Sequence, residues 1–241
     1  MSGVLIAGGS IAAACLLGSV LGCRLKNISS AVYACVTGIA AGVMLCAAVH
    51  GLLIPSMEQQ RMVLSVAGIG VGALLLCWMN QAAANRMTQQ GRDASHVGGL
   101  MFVCAIAIHH FPEGLAAGVS FGTGDGSETA AVCTAIALQN IPEAMMIMPA
   151  MLPFGRRKSV CAAAVSCGME LLGLLMGYIA IQTTTRLLPM MLALASGAML
   201  YVIFQNMLPD VYEESGERTA VSVLSGYCGM LLLTELAEKV L

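Results

Sequence analysis

The chain has 241 residues, 58% of them apolar and only 10% charged, with a formal net charge of −2 and a mean hydropathy of +0.85. A soluble domain carries roughly a quarter charged residues, so this composition excludes one and leaves an integral membrane protein. Thinly spread charge also excludes a basic nucleic-acid surface and an acidic tail.

Eight apolar segments can be drawn in chain order, over 3–22, 31–54, 62–79, 97–121, 129–152, 160–182, 188–208 and 219–240. Each is near the length of about 20 residues that a spanning helix needs. The prediction is therefore an all-α integral membrane protein with eight transmembrane helices, residues 1–241 forming a single transmembrane domain. The first segment lacks the charged leader of a signal peptide and is followed closely by a second span, so it reads as a helix. Gly38 and Gly42, Gly68, Gly70 and Gly72, and Gly173 and Gly177 crowd the second, third and sixth spans, where small residues let helices approach closely. The ten cysteines (15, 23, 35, 46, 77, 104, 133, 161, 167 and 228) show neither CxxC nor secreted-framework spacing. Most of them read as small core residues.

Lys and Arg set the orientation. Alternating the connections places Arg24, Lys26, Arg86, Arg92, Arg156, Arg157, Lys158 and Arg218 on one side, and Arg61, Arg186 and Lys239 on the other. The positive-inside rule then puts both termini outside the cytoplasm, in a multi-pass protein of the plasma membrane. The longest polar connection, about 80–96, falls on the cytoplasmic side, with His96 as a solvated residue.

The chemistry is concentrated in the fourth and fifth spans. His109-His110-Phe111-Pro112-Glu113-Gly114 is followed thirty residues later by Gln139-Asn140-Ile141-Pro142-Glu143-Ala144. On a helix, positions i and i+4 share a face, so His109/Glu113 and Gln139/Glu143 each make a ligand pair. The proline before each glutamate disturbs the preceding turn and frees the carbonyls of Ile108 and Leu138. Glu170 adds a third carboxylate deep in the sixth span. An ionised carboxylate at mid-membrane costs about 2.5 kcal/mol or more, so three of them need partners or a cation. Imidazole nitrogen with carboxylate and amide oxygen suits Zn²⁺ and other first-row divalent ions better than Ca²⁺ or Mg²⁺. Among Zn²⁺, Fe²⁺, Mn²⁺, Co²⁺ and Cd²⁺ the residue types do not choose.

Three polar positions admit two readings each. His50 is an interfacial residue or a guard of the outer mouth with Glu58. Gln205, Asn206 and Asp210 around Pro209 cap a helix or line an exit. Met44, one of eighteen methionines, is core packing on spacing alone.

These residues resemble the ZIP metal-ion transporters, in particular the bacterial, GufA-like branch. The two Pro–Glu motifs look like the family's fourth- and fifth-span signatures. Gly42-Val43-Met44-Leu45 with Leu52-Leu53-Ile54-Pro55 is similar to its second-span pattern, and Ser166-Cys167-Gly168-Met169-Glu170 to its sixth. The resemblance implies a single transporter domain with an inverted repeat, spans 1–3 against spans 6–8, around central spans 4 and 5. It implies a binuclear site between those two spans. His109, Glu113, Gln139 and Glu143, with Met44, would hold one metal; His110, Glu113, Asn140, Glu143 and Glu170 would hold its neighbour. His110 stands where asparagine is usual, Ala144 where glycine is, and span seven carries Gln205 and Asn206 where acidic residues or histidine are common.

The expected function is transport of a divalent metal, zinc first and Fe²⁺, Mn²⁺ or Cd²⁺ after it, into the cytoplasm. The metal is cargo, and no catalytic cofactor is expected. The partners are the ions and the lipid bilayer, with no nucleic acid; assembly as a homodimer stays open. One rival is an intramembrane metal-dependent hydrolase, but HExxH is absent and a proline interrupts each ligand helix. A metal-gated pore is the other. The absence of a GxxxxGK[ST] motif argues against nucleotide-driven movement.

Overall fold

A computed structural model describes residues 2–24, 29–58, 62–88, 110–124, 126–151, 155–183 and 188–240, and every element among them is helical. In chain order these are α1 (Ser2–Arg24), α2 (Ser30–Cys46), a π-helical turn (Ala47–Leu53), α3 (Ile54–Glu58) and α4 (Met62–Thr88). Then come α5 (110–120), α6 (Gly126–Met151), α7 (Arg156–Thr183), α8 (Leu188–Val202), a second π turn (Ile203–Met207), α9 (Leu208–Ser215) and α10 (Arg218–Val240). Much of the fourth predicted span, including His109 and Ile108, lies outside the described residues.

Six of the described helical stretches are long and apolar enough to cross a membrane: Ser2–Cys23, Ser30–Glu58, Met62–Ala82, Arg156–Thr183, Leu188–Ser215 and Arg218–Leu236. The 26-residue α6 matches them in length but carries Gln139, Asn140 and Glu143 within its apolar run. The protein is a helical membrane protein with several polar side chains buried in its interior. Leu5, Val63, Leu74, Trp78, Ile179, Val221 and Leu232 face outward, as lipid requires, while Glu113, Gln139, Asn140 and Glu170 are buried.

Spans two and seven run further than their prolines suggest. In each, a π turn precedes the proline. Ile54 N–H bonds the Val49 carbonyl just before Pro55, and Leu208 N–H bonds the Ile203 carbonyl just before Pro209. The wider i→i+5 turn makes room for a ring that would clash with the carbonyl four residues back, so the helix continues instead of breaking. The Ala48 carbonyl within the first π turn accepts a hydrogen bond from Ser196 Oγ of α8 at 2.8 Å. α4 likewise passes the drawn end of its span, because Ala82-Ala83-Ala84 favour helix. Its extension takes in Asn80 and Gln81, which the sequence reading assigns to a loop. Gly216, at φ +56, closes α9 with its N–H on the Tyr212 carbonyl, a backbone setting that favours glycine.

The helices pack in pairs. α1 runs along α6, α2 along α10 and α4 along α8, and α5 lies against α7. Glycine seals each pair: Gly18 and Gly22 of α1 meet the Ile141 and Met145 carbonyls of α6, and Gly114 and Gly173 bring α5 and α7 into backbone contact. A Cβ at Gly114 would collide with the Glu170 carbonyl. Gly38 and Gly42 face α10, and Gly68 and Gly72 face α8, as close packing predicts; Gly70 instead faces open space. α1, α5, α6 and α7 thus form one group. α2, α4, α8 and α10 form the other, joined to the first through contacts of α2, α10 and the first π turn with α6.

Candidate metal centre

The close approach of α5 to α7 decides where the carboxylates meet. His110 and Glu113 sit one turn apart on α5, Gln139, Asn140 and Glu143 on α6, and Glu170 on α7 beside Gly114. His110 Nε2 lies 3.6 Å from Glu143 Oε2. One ligand atom each from His110, Glu113 and Glu143 falls within 4.8 Å of the others, a spacing that a single ion can draw together. A second triad, Cys15, His110 and Glu170, meets the same limit, so His110 belongs to both.

Asn140 fixes the orientation of Glu170. Its Nδ2 donates to Oε1 at 2.6 Å and to Oε2 at 2.8 Å, and the Cys15 thiol donates to Oε2 at 3.6 Å. With its amino group committed to Glu170, Asn140 leaves Oδ1 buried with no hydrogen-bond partner among the described residues. Both oxygens of Glu113, both polar atoms of Gln139 and Ser166 Oγ share that condition, although the Gln139 amide lies beside Glu113. Glu113 is 0% exposed, whereas the Glu143 side chain keeps 13% exposure and is the outermost of the three carboxylates.

Leaving a buried polar group unmade costs about 1–3 kcal/mol, and more for a charge. The oxygens of Glu113, Gln139 and Asn140, with the His110 imidazole and the Glu143 carboxylate, are oxygen and nitrogen donors of the kind a borderline divalent ion accepts. Three ionised carboxylates would more than offset the charge of one divalent ion.

Of the residues expected from the sequence, His110, Glu113, Gln139, Asn140, Glu143 and Glu170 all lie buried or half-buried on α5, α6 and α7. His109 lies outside the described residues. Met44 is fully buried on α2, which packs against α6, and it belongs to the apolar core. His50 Nε2 pairs with the Tyr227 hydroxyl at 2.9 Å, on the wall of a 680 Å³ cleft lined by Cys46, Cys228 and Glu235. Gln205 and Asp210 are exposed. Sequence reasoning passed over Cys15 and Ser166. Ser166 shares a helix face with Glu170, a spacing open to inspection in the sequence. Nothing in the local sequence of α1 distinguishes Cys15.

A family model described as "ZIP Zinc transporter" matches residues 79–234, well over half of the chain. The chain belongs to the ZIP family. It is 32% identical over 240 residues to the zinc transporter ZIPB of Bordetella bronchiseptica, covering 92% of this chain and 77% of that protein. It is 33% identical over 189 residues to the zinc transporter GufA of Myxococcus xanthus, covering 72% and 74%. With the zinc transporter ZIP11 of Xenopus tropicalis it shares 31% over 160 residues, covering 59% and 47%. The ZIP-matched stretch contains the His110, Glu113, Gln139, Asn140, Glu143 and Glu170 cluster; Cys15 and Met44 precede it.

Proposed function

We propose that this ZIP-family chain carries divalent transition-metal ions, zinc above all, across the plasma membrane into the cytoplasm through a binuclear site between α5 and α6. One observation carries the reading. Both oxygens of Glu113 are fully buried, without hydrogen bonds among the described residues, beside His110 and Glu143. A carboxylate in that setting is most simply offset by a bound cation. One metal is held by His109, Glu113, Gln139 and Glu143 with Met44. Its neighbour is held by His110, Glu113, Asn140, Glu143 and Glu170, the two glutamates bridging.

Eight spans with an inverted repeat provide the frame. Two correspondences support the repeat. The π turn before Pro55 in span two is mirrored by that before Pro209 in span seven. The pairing of span two with span eight is mirrored by that of span seven with span three, and the pairing of one with five by that of six with four. In such a frame the site-bearing group (α1, α5, α6, α7) shifts against the other four helices to expose the ions to each side in turn. Both termini lie outside the cytoplasm, on the distribution of Lys and Arg. The relatives are named transporters, in keeping with a carrier and not with an intramembrane hydrolase.

The test is radiolabelled Zn²⁺ uptake into proteoliposomes by the native chain and by Glu113→Ala/Glu143→Ala. Saturable uptake that disappears in the double variant is expected. Uptake that survives it would move the pathway elsewhere, and uptake that never saturates would favour a pore.

A further inference from the structure

Cys15 is the one cysteine in the two ligand clusters found among the described residues, and its position has a specific cause. Gly18, one turn further along α1, meets the backbone carbonyl of Ile141 on α6, and Gly22 meets that of Met145. With no side chains to hold the helices apart, α1 sinks against α6 just where α6 carries Asn140 and Glu143. That approach turns the buried Cys15 toward α7, where its thiol donates to Glu170 Oε2 at 3.6 Å. The Cys167 thiol of α7 lies beside it. Most buried cysteines behave as small apolar fillers, but this one faces a carboxylate, an imidazole and a second thiol.

We propose that Cys15 adds a thiolate to the metal position that His110, Asn140 and Glu170 share, the second of the binuclear site, and that it biases the protein toward soft divalent ions such as Cd²⁺ and Zn²⁺ over the harder Mn²⁺. Resting on the proposed transport reading, it adds a ligand from α1 to sites otherwise assembled from other helices. Cys15, His110 and Glu170 come from three helices, all buried, with one ligand atom of each within 4.8 Å of the others. A nitrogen, a carboxylate oxygen and a sulfur form a mixed set that zinc accepts, at about 2.3 Å to sulfur and about 2.0–2.2 Å to nitrogen and oxygen. Asn140 Oδ1, buried and without a partner among the described residues, belongs to the residue that holds Glu170 and supplies a fourth donor. Coordination takes the thiolate form, the S–H proton leaving to water as the ion enters. Sulfur favours the softer ion, and that preference is what the position contributes. Cys167 orients Cys15 without binding the metal.

The purified full-length protein loaded with Co²⁺ tests this directly, because a thiolate ligand gives an intense near-ultraviolet charge-transfer band that thioethers and carboxylates do not. Native protein and Cys167→Ser are expected to show the band; Cys15→Ser and Cys15→Ala are expected to lose it while eluting as the native protein does in detergent. In uptake competition, Cys15→Ser should lower the preference for Cd²⁺ over Mn²⁺ by about tenfold, the scale on which a changed metal environment acts. The exposed Cys161→Ser should leave that preference alone. A band that persists in both Cys15 variants, or that vanishes only in Cys167→Ser, overturns the assignment to Cys15. An unchanged preference overturns the selectivity role. These outcomes are separable from failure of the transport reading, which shows instead as native Zn²⁺ uptake that survives Glu113→Ala/Glu143→Ala.

Discussion

Two pairs of prolines in this chain sit among polar residues, and they lead to different structures. Pro112 and Pro142 lie within α5 and α6 between His110, Glu113, Asn140 and Glu143; Pro55 and Pro209 follow the π turns of spans two and seven. Around the first pair, polar side chains turn inward and six polar atoms lack hydrogen bonds among the described residues. Around the second pair no buried side-chain polar atom is left unpartnered among the described residues. The π turns supply i→i+5 bonds, Ser196 takes the Ala48 carbonyl, and His50 pairs with Tyr227. A proline flanked by polar residues therefore does not itself mark a site. The mark is an unmet hydrogen-bonding demand in a place water does not reach.

The difference predicts a descending series of effects. Glu113→Gln keeps the shape and removes the charge. Zinc uptake at low concentration should fall by about 100-fold or more, since even the outer partners of a bound metal are worth roughly 10- to 100-fold. Uptake near the native level would erase the distinction between the two proline pairs. Gly114→Val should come next, because the new side chain meets the Glu170 backbone and forces α5 from α7. Overpacking costs about 1–3 kcal/mol, so thermal unfolding in detergent should come earlier and uptake should drop with the displaced glutamate. Gly70→Ala, facing open space, serves as the counterpart that should do neither. In the structural pair, Ser196→Ala leaves the Ala48 carbonyl without its donor. Stability should fall by about 1–3 kcal/mol, at roughly 2–4 °C per kcal/mol, while the zinc concentration for half-maximal uptake stays put. The smallest effect belongs to Tyr227→Phe. It removes an exposed hydrogen bond to His50 and should leave both melting and uptake within about 0.5 kcal/mol of native. A large uptake defect there would make His50 part of the path.

Much of the site could be seen in the sequence, because its signals are local. A His or Gln four residues before a glutamate, repeated in two apolar runs, needs only helical periodicity to be recognised, and Glu170 stands out as a carboxylate where lipid forbids one. Helix extents were less legible. The ends drawn at 54 and 208 fall just before Pro55 and Pro209, and a π turn, set by backbone bonding, carries each helix onward. Gly70 was grouped with Gly68 and Gly72 on spacing alone, yet only the latter two face α8.

Sequence alone determined the class, the apolar helices and the paired Pro–Glu motifs, since hydropathy and residue spacing act within a segment. Tertiary structure decided what those motifs touch. Asn140 turns its amide to Glu170 because α6 and α7 meet there, and Gly114 lies against that same glutamate because α5 has no side chain in the way. Cys15 reaches the carboxylates because Gly18 lets α1 rest on the α6 backbone. The depth of that contact depends on the surfaces of two helices more than a hundred residues apart in the chain, and neither segment records it alone.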